Sequence, residues 1–211
     1  MAETDVSICS AALMELGGSP INSFDTPGDV AKFLKIRYPQ LRAGVIGSYP
    51  WECMKVRKAL TRETAAASGF RFSFLMPADM IGTPGAVFLS NEPWTRATSG
   101  FEVRGRRIVS NYDKLWMEYS AVRPESEWPS FMVELMIAVV KEAIAFMLTD
   151  QQNVKDAAYV AAYGTPSENR TGGLMGLAMT TDAQGSGNNP GLANDAFVAA
   201  RFGGVYPGDW F

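Results

Sequence analysis

The chain contains no histidine. That absence removes Ser-His-Asp and Cys-His relays, imidazole zinc sites and the commonest general base near neutral pH. Cysteine is nearly as scarce. Cys9 and Cys53 lack the close spacing and partner cluster that zinc or iron–sulfur sites require. Two buried free thiols are the expectation, with a disulfide between them left open. A phosphate-binding loop is missing too, because the glycines at 172–176 lack the Lys-Ser/Thr that such a loop carries, and neither a G-x-S-x-G elbow nor an H-E-x-x-H pair occurs. Charge is thin: 19% of residues are Asp, Glu, Lys or Arg and the formal net charge is -3. A chain of that balance is not built for nonspecific nucleic-acid binding, which needs Lys and Arg to neutralise phosphates. It remains compatible with a channel that lets DNA pass without holding it. The segment MAETDVSICS has no basic stretch leading into an apolar core, so no signal peptide is expected and cytoplasmic synthesis is the default. On that reading the Asn169-Arg170-Thr171 sequon is accidental.

Against these absences stands one long apolar run, SFMVELMIAVVKEAIAFML from Ser130 to Leu148, whose only charges are Glu134, Lys141 and Glu142. It is too apolar for a surface helix with one buried stripe. It is also too charged for a bilayer span, since each such group near a membrane centre costs roughly 2.5–3.5 kcal/mol. The run predicts a helix buried on most of its circumference. Glu134, Lys141 and Glu142 then mark its single wet or cross-paired edge. Glu134, as a carboxylate on so apolar a helix, calls for a basic partner from another helix or another subunit.

The flanking sequence predicts an α+β fold: a mainly helical bundle from 1–51 and 128–179, an inserted β-rich region at 52–127, and an extended C-terminal tail at 180–211. Thr4 is placed to N-cap a first helix with Val6, Cys9, Leu13 and Leu16 on its apolar face, ended by Gly17-Gly18. Thr26-Pro27 reads as the N-cap and first residue of a second helix, which carries Val30, Phe33, Leu34, Leu41, Val45 and Ile46 and which Pro39 should kink or divide. Tyr49-Pro50-Trp51 reads as a core anchor. Short strand-like runs at 70–76, 86–90, 101–103, 107–110 and 114–122, punctuated by Gly, Pro and Asn, predict one small antiparallel sheet that needs a helix over one face. After the apolar helix, Val154, Ala157, Ala158, Val160 and Ala161 suggest a small-residue packing face. Thr165-Pro166-Ser167-Glu168 resembles a capping box opening another helix, whose course through Met179 the glycines should weaken. The tail is Gly-rich yet carries Phe197, Phe202, Tyr206, Trp210 and Phe211, more aromatics than a solvated linker holds, and so reads as a segment that docks on a partner or neighbouring subunit, with packing back on its own domain as the alternative.

Two basic clusters stand out. Arg104, Arg106 and Arg107 sit at an expected hairpin tip, which reads either as a solvated turn or as a polar contact for a phosphate or an acidic protein surface. Arg57, Lys58 and Arg62 form the second, and neither has the interleaved aromatics of a single-strand binding platform. Glu125 and Glu127 fall in a polar loop and read as solvated. No residue is a candidate for catalysis, cofactor binding or metal binding.

In their order along the chain, several stretches resemble the head–tail adaptors of short-tailed bacteriophages, the tail tubular protein A family. They are ALMELGGSPINSF (12–24), VAKFLKIRYPQLRAGVIGSYPW (30–51), MKVRKAL (54–60) as a charged strand, FSFLMPADMI (72–81), FEVRGRRIVSN (101–111) and Trp128-Pro-Ser-Phe leading into the apolar helix. The similarity covers roughly residues 5–160 and rests on order and spacing. It implies a helical bundle with inserted β-structure, assembled as a dodecameric homo-oligomeric ring that joins the portal protein to a tail nozzle resembling tail tubular protein B. The ring would line the channel through which phage DNA passes without sequence-specific binding. It further implies a structural virion protein rather than an enzyme, with no cofactor and no membrane partner, located at the portal–tail junction after assembly in the bacterial cytoplasm. The chain departs from the family after about Tyr163, where a long charged helix is replaced by glycine-rich sequence. Three rivals stand beside this reading: another neck or stopper ring protein, a soluble enzyme using carboxylates with a metal, and a membrane-associated protein resting on the apolar helix.

Overall fold

The computed structural model describes residues 3–63, 69–92, 95 and 97–185. It shows an α+β protein, helices first and last with β-structure between them. Helix α1 (Asp5–Glu15) is capped by Thr4, whose hydroxyl accepts the Ser7 N–H while Ser7 Oγ accepts the Thr4 N–H. This reciprocal box satisfies two of the donors that a helix start leaves open. Helix α2 (Asp29–Ser48) begins later than Thr26-Pro27 would set it. Thr26 closes a turn on Ser23, and Gly28, at a φ of 144° that side chains rarely adopt, swings the chain into the helix. Pro39 does not divide it. Leu34, Tyr38, Val45 and Ile46 are buried on both sides of the proline, and that shared burial outweighs its cost of about 3 kcal/mol.

At the exit of α2, Trp51 is fully buried, donates its indole N–H to the Val45 carbonyl at 2.9 Å and meets Tyr49 edge-on at 5.0 Å. A short 3-10 turn, Glu52–Met54, then leads into the β-region.

Strands β1 (Lys55–Ala59), β2 (Thr61–Arg62), β3 (Phe72–Leu75), β4 (Met80–Ile81), β5 (Val87–Phe88), β6 (Phe101–Arg104), β7 (Arg107–Ser110) and β8 (Trp116–Ala121) form two antiparallel sheets rather than one. In the first, β8 is central, paired with β1 from Lys55↔Ser120 to Ala59↔Trp116 and with β4 and β5. The second runs β2-β3-β7-β6. Leu60 links β1 to β2 and hydrogen-bonds Leu115, so the chain passes from one sheet directly into the other. Burial explains why no helix has to cover them. Leu60, Phe74, Met76, Val87, Ile108, Leu115, Met117, Tyr119 and Ala121 make a core of their own. Two facing sheets hide each other's apolar side.

The apolar run is helix α3 (Ser130–Thr149), with Met132, Leu135, Met136, Val139, Val140, Ile144 and Ala145 buried. No helix among the described residues is long and apolar enough to cross a membrane. Asp150, in the left-handed region at φ 54°, reverses the chain into α4 (Gln152–Tyr163), which packs back along α3. Its buried face is Ala158, Ala162 and Tyr163. Ala157, Val160 and Ala161 are exposed, because the stripe follows i, i+4 spacing rather than the cluster of small residues.

The box at Thr165 forms, but it opens only a single turn, Pro166–Glu168. A separate helix, α5 (Gly173–Gly185), follows and runs past Met179. Residues 180–185 are therefore helical rather than part of a tail. The reason is tertiary: Asp182 is buried and accepts the N–H groups of Glu52 (2.6 Å) and Cys53 (3.1 Å), pinning α5 to the junction between bundle and β-region. That anchoring offsets the weak helix propensity of Gly173 and Gly176.

Candidate functional site

The β6–β7 hairpin turns through Gly105 and Arg106, with Gly105 at φ 62°, the geometry a tight hairpin turn takes from glycine. This places Arg104, Arg106 and Arg107 together at the tip, but two of the three are neutralised within the chain. Arg104 donates to Glu102 at 2.9 Å. Arg107 grips Glu63 with two N–H groups at 2.7 and 3.2 Å, a forked geometry that fixes both side chains. This contact holds the Glu63 carboxyl below its ordinary pKa and raises the guanidinium of Arg107. Arg106 stays exposed at the turn, its carbonyl accepting the Met76 N–H.

The second basic run does meet aromatics, supplied by other strands. Arg57 lies 3.7 Å over the Phe88 ring and bonds Glu118 at 3.1 Å, and Arg62 lies 4.1 Å over Phe72. Lys58 pairs with Asp79 at 2.7 Å, which lowers the Asp79 carboxyl. These rings are covered by the chain's own cations, so they clad the sheets rather than offer open stacking faces.

The three charges of α3 do not share one environment. Lys141 pairs with Glu15 of α1 at 2.8 Å. Glu134 is exposed, not buried. With Glu15, Ile137, Ala138 and Leu174 it lines a crevice of about 170 Å³ between α1, α3 and α5. Glu142 is next to Lys141 in sequence and so turned about 100° from it round the helix. It lies toward α4, where it helps burial raise the Tyr163 phenol.

On the other side of α5 is a groove of about 410 Å³ that sequence reasoning misses. Arg37, Gln40, Asn169, Arg170 and Thr171 supply its polar lining, and Leu41, Val45, Tyr163, Met175 and Met179 its apolar lining. No carboxylate is among its lining residues. Arg170 is held in the left-handed region at φ 65°, its guanidinium 4.0 Å over the Tyr163 ring. The turn that holds it there is built around Glu168. That carboxylate accepts the Thr165 N–H and hydroxyl, and it packs so closely on Gly172 that a Cβ would lie 2.5 Å from Oε1. The groove joins α2 to a turn more than a hundred residues away, so no local spacing could announce it.

A second missed feature is the placement of Glu125. Far from being a solvated loop residue, it is buried in a short turn and accepts from Tyr38 Oη (3.0 Å) and Arg42 (2.8 Å) of α2. Burial, and then the negative charges of Asp5 and Glu125, push the Cys9 thiol up to about 12. Cys53 is likewise pushed up to about 12, by burial and by Asp182. Both cysteines are free thiols. Among the described residues no three His, Cys, Asp or Glu side chains converge as a metal site would require. Phe197, Phe202, Tyr206, Trp210 and Phe211 lie outside the described residues.

The class the fold defines is thus an α-helical bundle carrying an inserted, two-sheet β-region. No protein-family model matches the chain, and no curated protein matches it in sequence.

Proposed function

We propose that the chain is a structural head–tail adaptor of a short-tailed bacteriophage, forming a ring that joins the portal to the tail nozzle around the DNA path. The observation that carries this reading is the order of the fold. Two helices, a β-region spanning 52–127 and a return to the apolar helix follow the same stretches of sequence on which the adaptor resemblance rests. Support also comes from apolar side chains left on the outside of the bundle, Ile36 at 69% exposure and Leu177 at 59%. Burying these side chains against a neighbouring subunit would add to the contact at about 25 cal/mol per Å² of apolar surface. In this role the protein acts by binding alone and has no catalytic group.

The test is electron microscopy of the particle whose genome encodes the chain. Density at the portal–tail junction is expected, and absence of the chain from purified virions rejects the proposal. A truncation refines it. Deleting 186–211 should leave a folded protein that no longer joins the portal, whereas deleting 180–211 also removes Asp182, leaves the Glu52 and Cys53 N–H groups without their acceptor and so lowers stability by about 1–3 kcal/mol. Normal portal binding by the shorter deletion rejects the tail as the docking element.

A further inference from the structure

Helix α5 separates two surfaces of opposite charge. On one side Met175 and Met179 line the groove that holds Arg37 and Arg170. On the other, Leu174 lines the crevice that holds Glu15 and Glu134. The charges do not cancel locally. Among the described residues neither arginine is ion-paired: Arg37 donates to Gln40 at 2.9 Å and Arg170 lies on Tyr163. In the crevice Lys141 is committed to Glu15, which leaves the exposed Glu134 as the unbalanced charge.

Apolar surface accompanies each charge. Ile36 flanks Arg37, while Leu177, one turn beyond Leu174 on the same stripe of α5, stands beside the acidic crevice. One surface therefore offers cations around an apolar floor, and the other an anion beside an apolar ridge. A contact between two unlike patches of identical subunits is heterologous, and it generates rings when the rotation closes.

We propose that the acidic edge of one copy, Glu134 with Ile137 and Leu177, seats in the Arg37–Arg170 groove of the next copy and forms the lateral contact of the assembly. The inference rests on the ring reading above and adds which surfaces meet. Charge complementarity selects a second copy as the occupant, since the same chain carries both halves.

The test exploits the head-to-tail geometry. Glu134→Arg and Arg37→Glu are each made in the full chain, as is the double variant, and far-UV circular dichroism and melting confirm that all three fold. Assembly is then followed by native mass and electron microscopy across a concentration series, for the chain alone and with portal protein. Each single reversal places like charges at every interface and should raise the concentration for half-assembly at least about ten-fold at low salt. The double variant restores opposite charges at every interface and should return within about three-fold of wild type. High salt should narrow the differences.

Wild-type assemblies that neither reversal weakens overturn this inference and leave the ring reading intact. So does a double variant no better than the singles. Rings that survive Arg37→Glu but lose the portal assign the groove to the portal instead and also overturn it. A wild-type chain that stays monomeric under every condition overturns both readings together.

Discussion

The helical bundle hides Trp51, Met132, Leu135, Val139 and Ile144 in one continuous apolar core, while the core that the β-region gathers between its two sheets holds, among the described residues, a smaller cluster of nine buried apolar side chains. The β-region adds what the bundle has less need of, an outer cladding of cations laid over rings and forked to carboxylates, as at Arg57–Phe88, Arg62–Phe72 and Arg107–Glu63. The difference is one of free-energy source. Burial of apolar area is worth about 25 cal/mol per Å² and is not screened by salt. Exposed ion pairs contribute about 0–1 kcal/mol each and are screened. The bundle should therefore be the rigid part of the molecule, and the β-region the part that solution conditions adjust.

The largest expected effect tests the bundle side. Trp51 is fully buried and its indole N–H is satisfied by Val45, so Trp51→Ala removes a large ring at the point where bundle and β-region join and leaves the Val45 carbonyl with the Ser48 hydroxyl as its side-chain donor. A loss of about 3–5 kcal/mol is expected, or a fall in Tm on the order of ten degrees by calorimetry. Arg57→Ala, which strips one cation from the cladding, should cost no more than about 1 kcal/mol. Equal losses for the two would erase the contrast.

A middle-sized effect tests how far polar groups hold the bundle. Glu125 is buried and ties the turn before α3 to Tyr38 and Arg42 of α2. Glu125→Gln keeps the shape but leaves Arg42 without its counter-charge, at an expected cost of about 2 kcal/mol in urea unfolding. Arg42→Met in the same background should recover part of it, because an apolar partner no longer demands a carboxylate. No loss in the single variant would mean that apolar packing alone secures this corner.

What the sequence makes legible follows the same divide. The apolar run of α3, the Thr4 cap and the Trp51 anchor are written in residues within about two turns of one another, where helical spacing and capping chemistry speak directly. The contacts that matter most for the candidate surfaces are not local. Glu125 finds Arg42 across 83 positions, and Asp182 finds Glu52 across 130. Glu125 reads as a loop carboxylate because its neighbours are polar, and nothing nearby reports the tyrosine and arginine that fold onto it. For the same reason the Gly-rich stretch at 172–176 reads as a weak helix. The bond that sustains α5 comes from Asp182 and the far side of the molecule. The single sheet expected from five short runs became two because β1, β2 and β4 carry too few residues, or too many charges, to show an alternating pattern.

The smallest effect expected is also the one that isolates the β-region, and it concerns acid. Asp79 is held below its ordinary pKa chiefly by the hydrogen bond from Lys58, and Glu63 chiefly by that from Arg107. A carboxyl whose folded pKa lies below its unfolded value adds stability that is fully present above the unfolded value of about 4. That stability is lost as pH falls through the folded value. The window is therefore acidic, from about pH 4 downward, and neutral conditions lie outside it. Since both carboxylates are only partly buried and stay in contact with solvent, the contribution is small and salt-sensitive. It should appear as local opening rather than global unfolding. Amide hydrogen exchange between pH 5 and 3 should show β1, β3 and β7 losing protection while α3 keeps it, with Asp79→Asn and Glu63→Gln flattening the response. Loss of protection in α3 at the same pH as in the strands would show that the two regions unfold as one, and that their different chemistry does not separate them.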